Sequence, residues 1–196
     1  MGAFTSELGP TTSTGDTREL VPYVLERCIG KNDTEIRSAL VKALRRFLKE
    51  SKVWREPLIQ LDAGDDEAGY RYASAGFGLI ETVCEVRGPY GRRVSPGSYI
   101  CDDGRNVVFD QRVPTNYIPY AALVPERGDD HVPTHILRKW GEAVCNGALH
   151  ELAANGQLNV ATSWTARYGN AVTAALLFQQ TRVNGTLRAD SCVEVI

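Results

Sequence analysis

Ile36, Ala39, Leu40, Ala43, Leu44, Phe47 and Leu48 recur at spacings of three and four, with Arg37, Lys42, Arg45, Arg46, Lys49 and Lys52 between them. This period predicts an amphipathic helix of roughly five turns, whose apolar stripe must be covered by other elements of the fold. Asn32-Asp33-Thr34-Glu35 just before it supplies cap residues and early acidic charge suited to the helix dipole. Leu20 to Ile29, with Pro22 near its start, reads as a helical turn or a short extended piece. Residues 1–18 are rich in Thr, Ser and Gly, and read as an arm that is flexible or ordered by a partner.

After Trp54 the pattern changes. Pro57 ends any helix and Leu58 to Leu61 reads as a strand. Short β-prone runs follow at Gly78 to Arg87, Ser98 to Cys101, Asn106 to Phe109 and Ala121 to Val124. Gly88-Pro89-Tyr90-Gly91, Ser95-Pro96-Gly97 and Asp102-Asp103-Gly104 punctuate them as turns, the last suited to a hairpin. The expectation is a small, mostly antiparallel β module.

The last third returns to helix. Pro133-Thr134 opens one, with Ile136, Leu137, Trp140, Val144, Ala148 and Leu152 as its stripe and Asn155-Gly156 as its end. Ser163 is read as the cap of another, carrying Trp164, Tyr168, Ala171, Val172, Ala175 and Phe178. Ala174, Leu176 and Leu177 spread apolar surface around that last helix, which predicts more than one packed neighbour. Both helices hold clusters of small residues: Gly141, Ala143, Gly147 and Ala148 in one, Gly169, Ala171, Ala174 and Ala175 in the other. A helical Gly costs about 1 kcal/mol relative to Ala. Close approach of helix axes is one compensation, either within the chain or against another copy.

The expected architecture is therefore α+β but mainly α: a helical bundle interrupted by a small antiparallel β insert, with extended terminal arms. Its segments are an N-terminal arm over 1–18, the first part of the bundle over 19–56, the β insert over 57–125, the C-terminal helices over 126–184 and an extended tail over 185–196.

Hydrophobic residues make up 43% and charged residues 23% of the 196, so the composition is that of a globular protein. A net charge of -2 argues against tight binding of nucleic acid across a broad basic face, which draws its affinity from many Lys and Arg contacts. Cys28, Cys84, Cys101, Cys145 and Cys192 form no C-x-x-C pair and read as free thiols of a reducing cytoplasm. No apolar run is long enough for a membrane span. The MGAFTS start and the sequons at Asn32 and Asn184 match loose modification patterns and are read as chance matches. His131, His135 and His150 sit in no metal-ligand spacing, and neither a G-x-S-x-G elbow nor a phosphate-binding Gly loop occurs. Catalytic, cofactor-binding and metal-binding residues are expected to be none, and the protein is not expected to be an enzyme.

ALVKALRRFLKESKVWREPL, WGEAVCNGALHEL and SWTARYGNAVTAALLFQQTRVNG, in that order around a sheet segment, resemble the head-to-tail adaptor (connector) proteins of tailed bacteriophages. The likeness covers roughly residues 20 to 185. NGQLNVATSW, between the last two helices, departs from it in lacking a Pro after the Trp.

The resemblance implies a structural virion protein of the neck, present in the host cytoplasm during assembly. It would form a homo-oligomeric ring, twelve-fold by the family pattern, beneath the portal protein. That ring extends the DNA channel and docks a tail or nozzle protein, and DNA passes through it without specific binding. Trp140, Gly141, Val144, Gly147, Ala148, Trp164, Tyr168, Ala171, Ala175 and Phe178 are then the candidates for helix packing or subunit contact. Cys192, Val193, Glu194, Val195 and Ile196 are the candidates for portal contact through an added strand. The acidic runs Asp65-Asp66-Glu67, Asp102-Asp103 and Asp129-Asp130 are either lumen-lining or solvated loops. Two other readings are a different neck or tail ring (a stopper or tail-completion protein) and a nucleic-acid-binding accessory protein. The latter would use Arg37, Arg45, Arg46, Lys49 and Lys52.

Overall fold

The computed structural model describes residues 13–28, 30–61, 70–74, 76–101, 103–153 and 158–183. In chain order the elements are β1 (Thr14–Gly15), a 3-10 turn (Thr17–Leu20), α1 (Val21–Leu25), α2 (Asp33–Ser51), β2 (Arg55–Gln60), β3 (Arg71–Ser74), β4 (Leu79–Arg87), β5 (Arg93–Val94), β6 (Tyr99–Ile100), β7 (Asn106–Phe109), β8 (Ile118–Val124), β9 (Val132–Pro133), α3 (Thr134–Ala153) and α4 (Leu158–Val183). They form two compact units, Met1–Arg46 with Pro125–Tyr168, and Phe47–Val124 with Gly169–Ile196.

α2 is the predicted five-turn helix. Its start is a reciprocal cap: the Glu35 amide donates to Asn32 Oδ1 (2.8 Å) and the Asn32 amide to Glu35 Oε2 (3.1 Å). All seven residues of the predicted stripe are buried. Lys52, at φ 53°, turns the chain out of the helix in a left-handed conformation.

In the first unit, α3 is joined by the N-terminal segment. β1 pairs with β9, and the Thr134 amide donates to the Ser13 carbonyl (2.9 Å). Thr17, fully buried, donates its hydroxyl to Asp130 Oδ2 (2.7 Å). Thus residues 13–18 of the predicted arm are ordered by the chain itself, while 1–12 lie outside the described residues.

The second unit overturns the expected fold class. Its seven-stranded antiparallel sheet, in the order β5-β4-β8-β2-β3-β7-β6, is a major element and not a small insert. The protein is α+β: N-terminal helices, a central curled half-barrel sheet, then two C-terminal helices. Periodicity underestimates this sheet because β5 and β6 are two residues long and β3 only four. Such pieces carry almost no alternation of their own and are held by neighbours.

The curl has local causes. β4 pairs with β8 from Leu79↔Val124 to Arg87↔Ile118, with register shifts between Ile80 and Thr82 and between Val83 and Glu85. Irregularities of this kind bend and over-twist a strand. The bend brings the far edge of the sheet around to β4. The Val83 amide donates to the Tyr99 hydroxyl (3.1 Å), and the same hydroxyl lies 2.9 Å from Thr82 Oγ1. Inside the curl, Phe109 meets Tyr72 edge-on at 5.5 Å between centroids.

Pro57 lies within β2 and not ahead of it, although a central strand normally excludes proline. Here β2 changes partners at that residue: Arg55 to Pro57 pair with β8 and Leu58 to Gln60 with β3. The missing N–H falls where the ladder is handed over.

Trp54 anchors the start of β2. It is 1% exposed, and its indole N–H donates to Glu56 Oε1 (2.7 Å). A side chain at Gly78 would stand 2.7 Å from Trp54 Cη2 and 3.0 Å from Leu123 Cβ. Gly78→Ala is expected to destabilise the fold by about 1–3 kcal/mol through overpacking, read as a lowered midpoint in urea unfolding.

Candidate subunit-contact surface

The small residues of α3 are explained within the chain. A Cβ added at Gly147 would lie 3.1 Å from two carbons of the Tyr168 ring and 3.2 Å from Ala43 Cβ. One at Gly141 would lie 3.0 Å from a methyl group of Leu20. Gly141, Val144, Gly147 and Ala148 are all buried, and Trp140 is half-buried. Arg46 stacks on Tyr168, its guanidinium 4.7 Å from the ring centroid, and pairs with Glu151 at 3.4 Å.

α4 differs. It begins at Leu158, so Ser163 lies within the helix instead of capping it, and the Asn155-Gly156 end expected for α3 lies outside the described residues. Tyr168 and Ala175 are buried, while Trp164, Ala171 and Phe178 are half-buried. Gly169, Asn170, Thr173, Ala174 and Leu177 recur at spacings of one, three and four on one exposed side, and Leu177 is 55% exposed. A Cβ at Gly169 would meet nothing within 4 Å.

Two physical features set this side apart. A mid-helix Gly costs about 1 kcal/mol, and here no atom of the described residues packs into the space that a Cβ would take. Moreover, α4 carries no acidic residue in its 26 residues, and of its two arginines the exposed Arg167 borders this side one turn before Asn170. Helices that face only water are usually laced with charge, whereas the centres of protein interfaces are depleted of it. Of the ten residues predicted for packing or contact, those on α3 join its packed side. Gly169, Asn170, Thr173 and Leu177, exposed on α4, are not among the ten. The sequence signal for them is the i, i+1, i+4, i+8 run of small and uncharged residues.

The other predicted surfaces fare differently. Cys192, Val193, Glu194, Val195 and Ile196 lie outside the described residues, as do Asp65-Asp66-Glu67 and Asp102. Of the basic side of α2, Arg46 is engaged as above and Lys49 pairs with Glu81 (2.5 Å), so it is not a free row of cations. Cys145 is buried, and desolvation pushes its thiol up to about 12, which keeps it protonated and unreactive at neutral pH.

Asp129, Asp130 and His131 bring three ligand-type atoms within 4.8 Å of one another. Those atoms are already engaged. Asp129 Oδ1 accepts the amides of Asp130 (2.8 Å) and His131 (3.1 Å) and lies 2.6 Å from His131 Nδ1, while Asp130 Oδ2 accepts from Thr17. The cluster is a turn lock ahead of α3. Partial burial pushes the Asp129 carboxyl up, but the hydrogen bonds from the His131 ring and from the amides of His131 and Asp130 outweigh it, and its pKa is lowered. The hydrogen bond to Asp129 raises the His131 pKa against a smaller desolvation effect.

These shifts fix a pH window. The raised His131 pKa means its contribution is complete below the unfolded value and is lost as pH rises through the folded one. The lowered Asp129 pKa means its contribution is lost as pH falls through the folded value. An NMR titration of the His131 ring is expected to show a midpoint above the ordinary value near 6.5, and Asp129→Asn to bring it back down.

The two helical glycines give opposite expectations. Gly147→Val overpacks the contact with Tyr168 and Ala43 and should cost at least about 1–3 kcal/mol. Gly169→Ala meets open space and should stabilise the isolated chain by about 0.5–1 kcal/mol. Urea unfolding of the two variants reads both signs.

No family model matches this chain, nor does any curated protein, so the reading of the α4 surface rests on its own chemistry.

Proposed function

We propose that this protein is a head-to-tail adaptor of a tailed bacteriophage, a ring subunit that extends the DNA channel beneath the portal and presents a docking surface to a tail protein. The observation that carries the reading is Gly169: a costly mid-helix glycine at which an added Cβ would meet no atom within 4 Å among the described residues, on a helix without an acidic residue. A close neighbour from another copy supplies the backbone-level contact that the single chain lacks. The order of segments resembling the adaptor family supports the same role. The fold class does not, since the sheet is larger than the small insert expected of that pattern.

A ring needs contacts between different patches of adjacent copies. The exposed side of α4 supplies one patch. Passage of DNA without retention fits the net charge of -2 and the drawing of Arg46 and Lys49 into ion pairs.

The test mixes the full-length chain with portal rings purified from the same phage and images the product by electron microscopy. The expected result is stoichiometric decoration, lost in Gly169→Trp while that variant's Tm stays within a few degrees of wild type. Failure to decorate, together with tight salt-sensitive binding of duplex DNA, overturns the reading in favour of a nucleic-acid-binding accessory protein.

A further inference from the structure

The hairpin joining β4 to β5 ends in a tip that its own chain does not explain. Tyr90 has φ 58° and ψ 24°, a left-handed conformation that bulky residues rarely adopt, and its side chain is fully exposed. Tyr90 makes no side-chain hydrogen bond or ring contact among the described residues. Strain of this kind persists where the surroundings enforce it, and it clusters at binding elements.

The base of the hairpin is the enforcing part. The Gly88 amide donates to the Arg92 carbonyl (2.7 Å), and the Tyr117 ring fills the space where a Cβ at 88 would go, 2.3 Å from its Cε1. The buried Glu85 accepts from Arg87 and lies 3.2 Å from Arg93 Nη1, while Arg87 stacks 4.2 Å over the Tyr120 ring. Arg87 and Arg93 are thus held by Glu85. Arg92, exposed beside Tyr90, enters no ion pair among the described residues.

The same unit carries a cavity of about 340 Å³, lined among others by Val86, Val94, Pro96, Asp110, Arg112 and Pro114. That is near the lower end of the ~300–1,000 Å³ of clefts that hold small ligands. Its walls mix apolar side chains with two exposed charges, Asp110 and Arg112, neither in an ion pair among the described residues. The fully exposed Tyr90 does not occupy this cavity on its own chain.

We propose that Tyr90 of one copy enters this cavity on a second copy, with Arg92 meeting Asp110 and the ring lying beside Arg112. Knob and socket are complementary in charge, Arg92 against Asp110, and both belong to this chain, which makes a second copy the occupant. A nucleic-acid partner is disfavoured, because one unpaired cation at the tip gives little counterion release. A rigid base and a pre-set Tyr limit the ordering cost of docking, and Tyr and Arg are the residues that most often carry interface energy. Each copy offers both surfaces, as a closed ring requires. The inference rests on the self-assembly in the adaptor reading, but not on the portal or the virion.

Sedimentation velocity of the full-length chain over a concentration series tests it. Wild type is expected to self-associate. Arg92→Asp and Asp110→Arg should each weaken association by about tenfold or more. A one-to-one mixture of these two variants should restore it, because every knob then finds a socket of opposite charge. Tyr90→Gly should lower association while its Tm holds or rises, since glycine accepts the left-handed conformation; this separates loss of contact from loss of fold. A chain that stays monomeric at every concentration overturns the contact, as does an unrestored mixture. Equal association by wild type and Tyr90→Gly also overturns it, and leaves the ring to the α4 surface. Tyr90-dependent association without portal decoration keeps the contact and removes the adaptor role.

Discussion

The β unit depends on how its sheet is bent at β4. Two register shifts interrupt its pairing with β8, and every backbone amide of such a strand still needs an acceptor. Val83 finds the Tyr99 hydroxyl, at the opposite end of the strand order. One hydrogen bond therefore ties the bulged strand to the last strand of the sheet. The Gly104 carbonyl, in the turn between β6 and β7, adds a second tie by accepting from the Ile80 amide (2.5 Å). These ties make an edge of two-residue strands tenable. They also place the β5–β6 and β7–β8 links, Val94 to Ser98 and Asp110 to Pro114, around one cavity.

The same accounting separates the two glycine-bearing helices. In α3 the absence of a side chain at Gly147 is filled by Tyr168 and Ala43, so the intrinsic cost of glycine is offset by contact. In α4 the absence at Gly169 is filled by nothing among the described residues. A stripe of small residues thus has two meanings, and only coordinates tell them apart. The sequence presents both helices with similar clusters.

Legibility followed the length of the repeating pattern. α2 could be read because seven apolar positions over 13 residues outweigh any single residue, and its cap residues stand in order before it. The Asn106 to Phe109 strand was read to its ends because its buried and exposed residues alternate. β3 was missed: it is four residues long and follows a Gly- and Asp-rich stretch that masks its alternation. Pro57 in the sequence points to a strand that begins after it, whereas β2 runs through it and changes partners there. Ser163 is a good cap residue in isolation, yet α4 starts at Leu158, six residues before the start that such a cap implies.

Tyr90 shows where such reading ends. Pro-Tyr-Gly between two strands announces a turn, and a turn is what forms. What the string of residues does not announce is that Tyr, rather than the following Gly alone, takes a left-handed conformation, or that its ring projects clear of the chain. Asn or Gly at position 90 would close the same turn with less strain. A fold that needed only the turn would gain from either. Retaining an aromatic ring there makes sense when its contact is made outside the molecule, and the argument for Gly169 has the same form. In both places the isolated chain is less stable than its neighbours in sequence space would be, and in both the deficit lies on exposed surface. In the proposed assembly, contact with another copy is what offsets a deficit so placed.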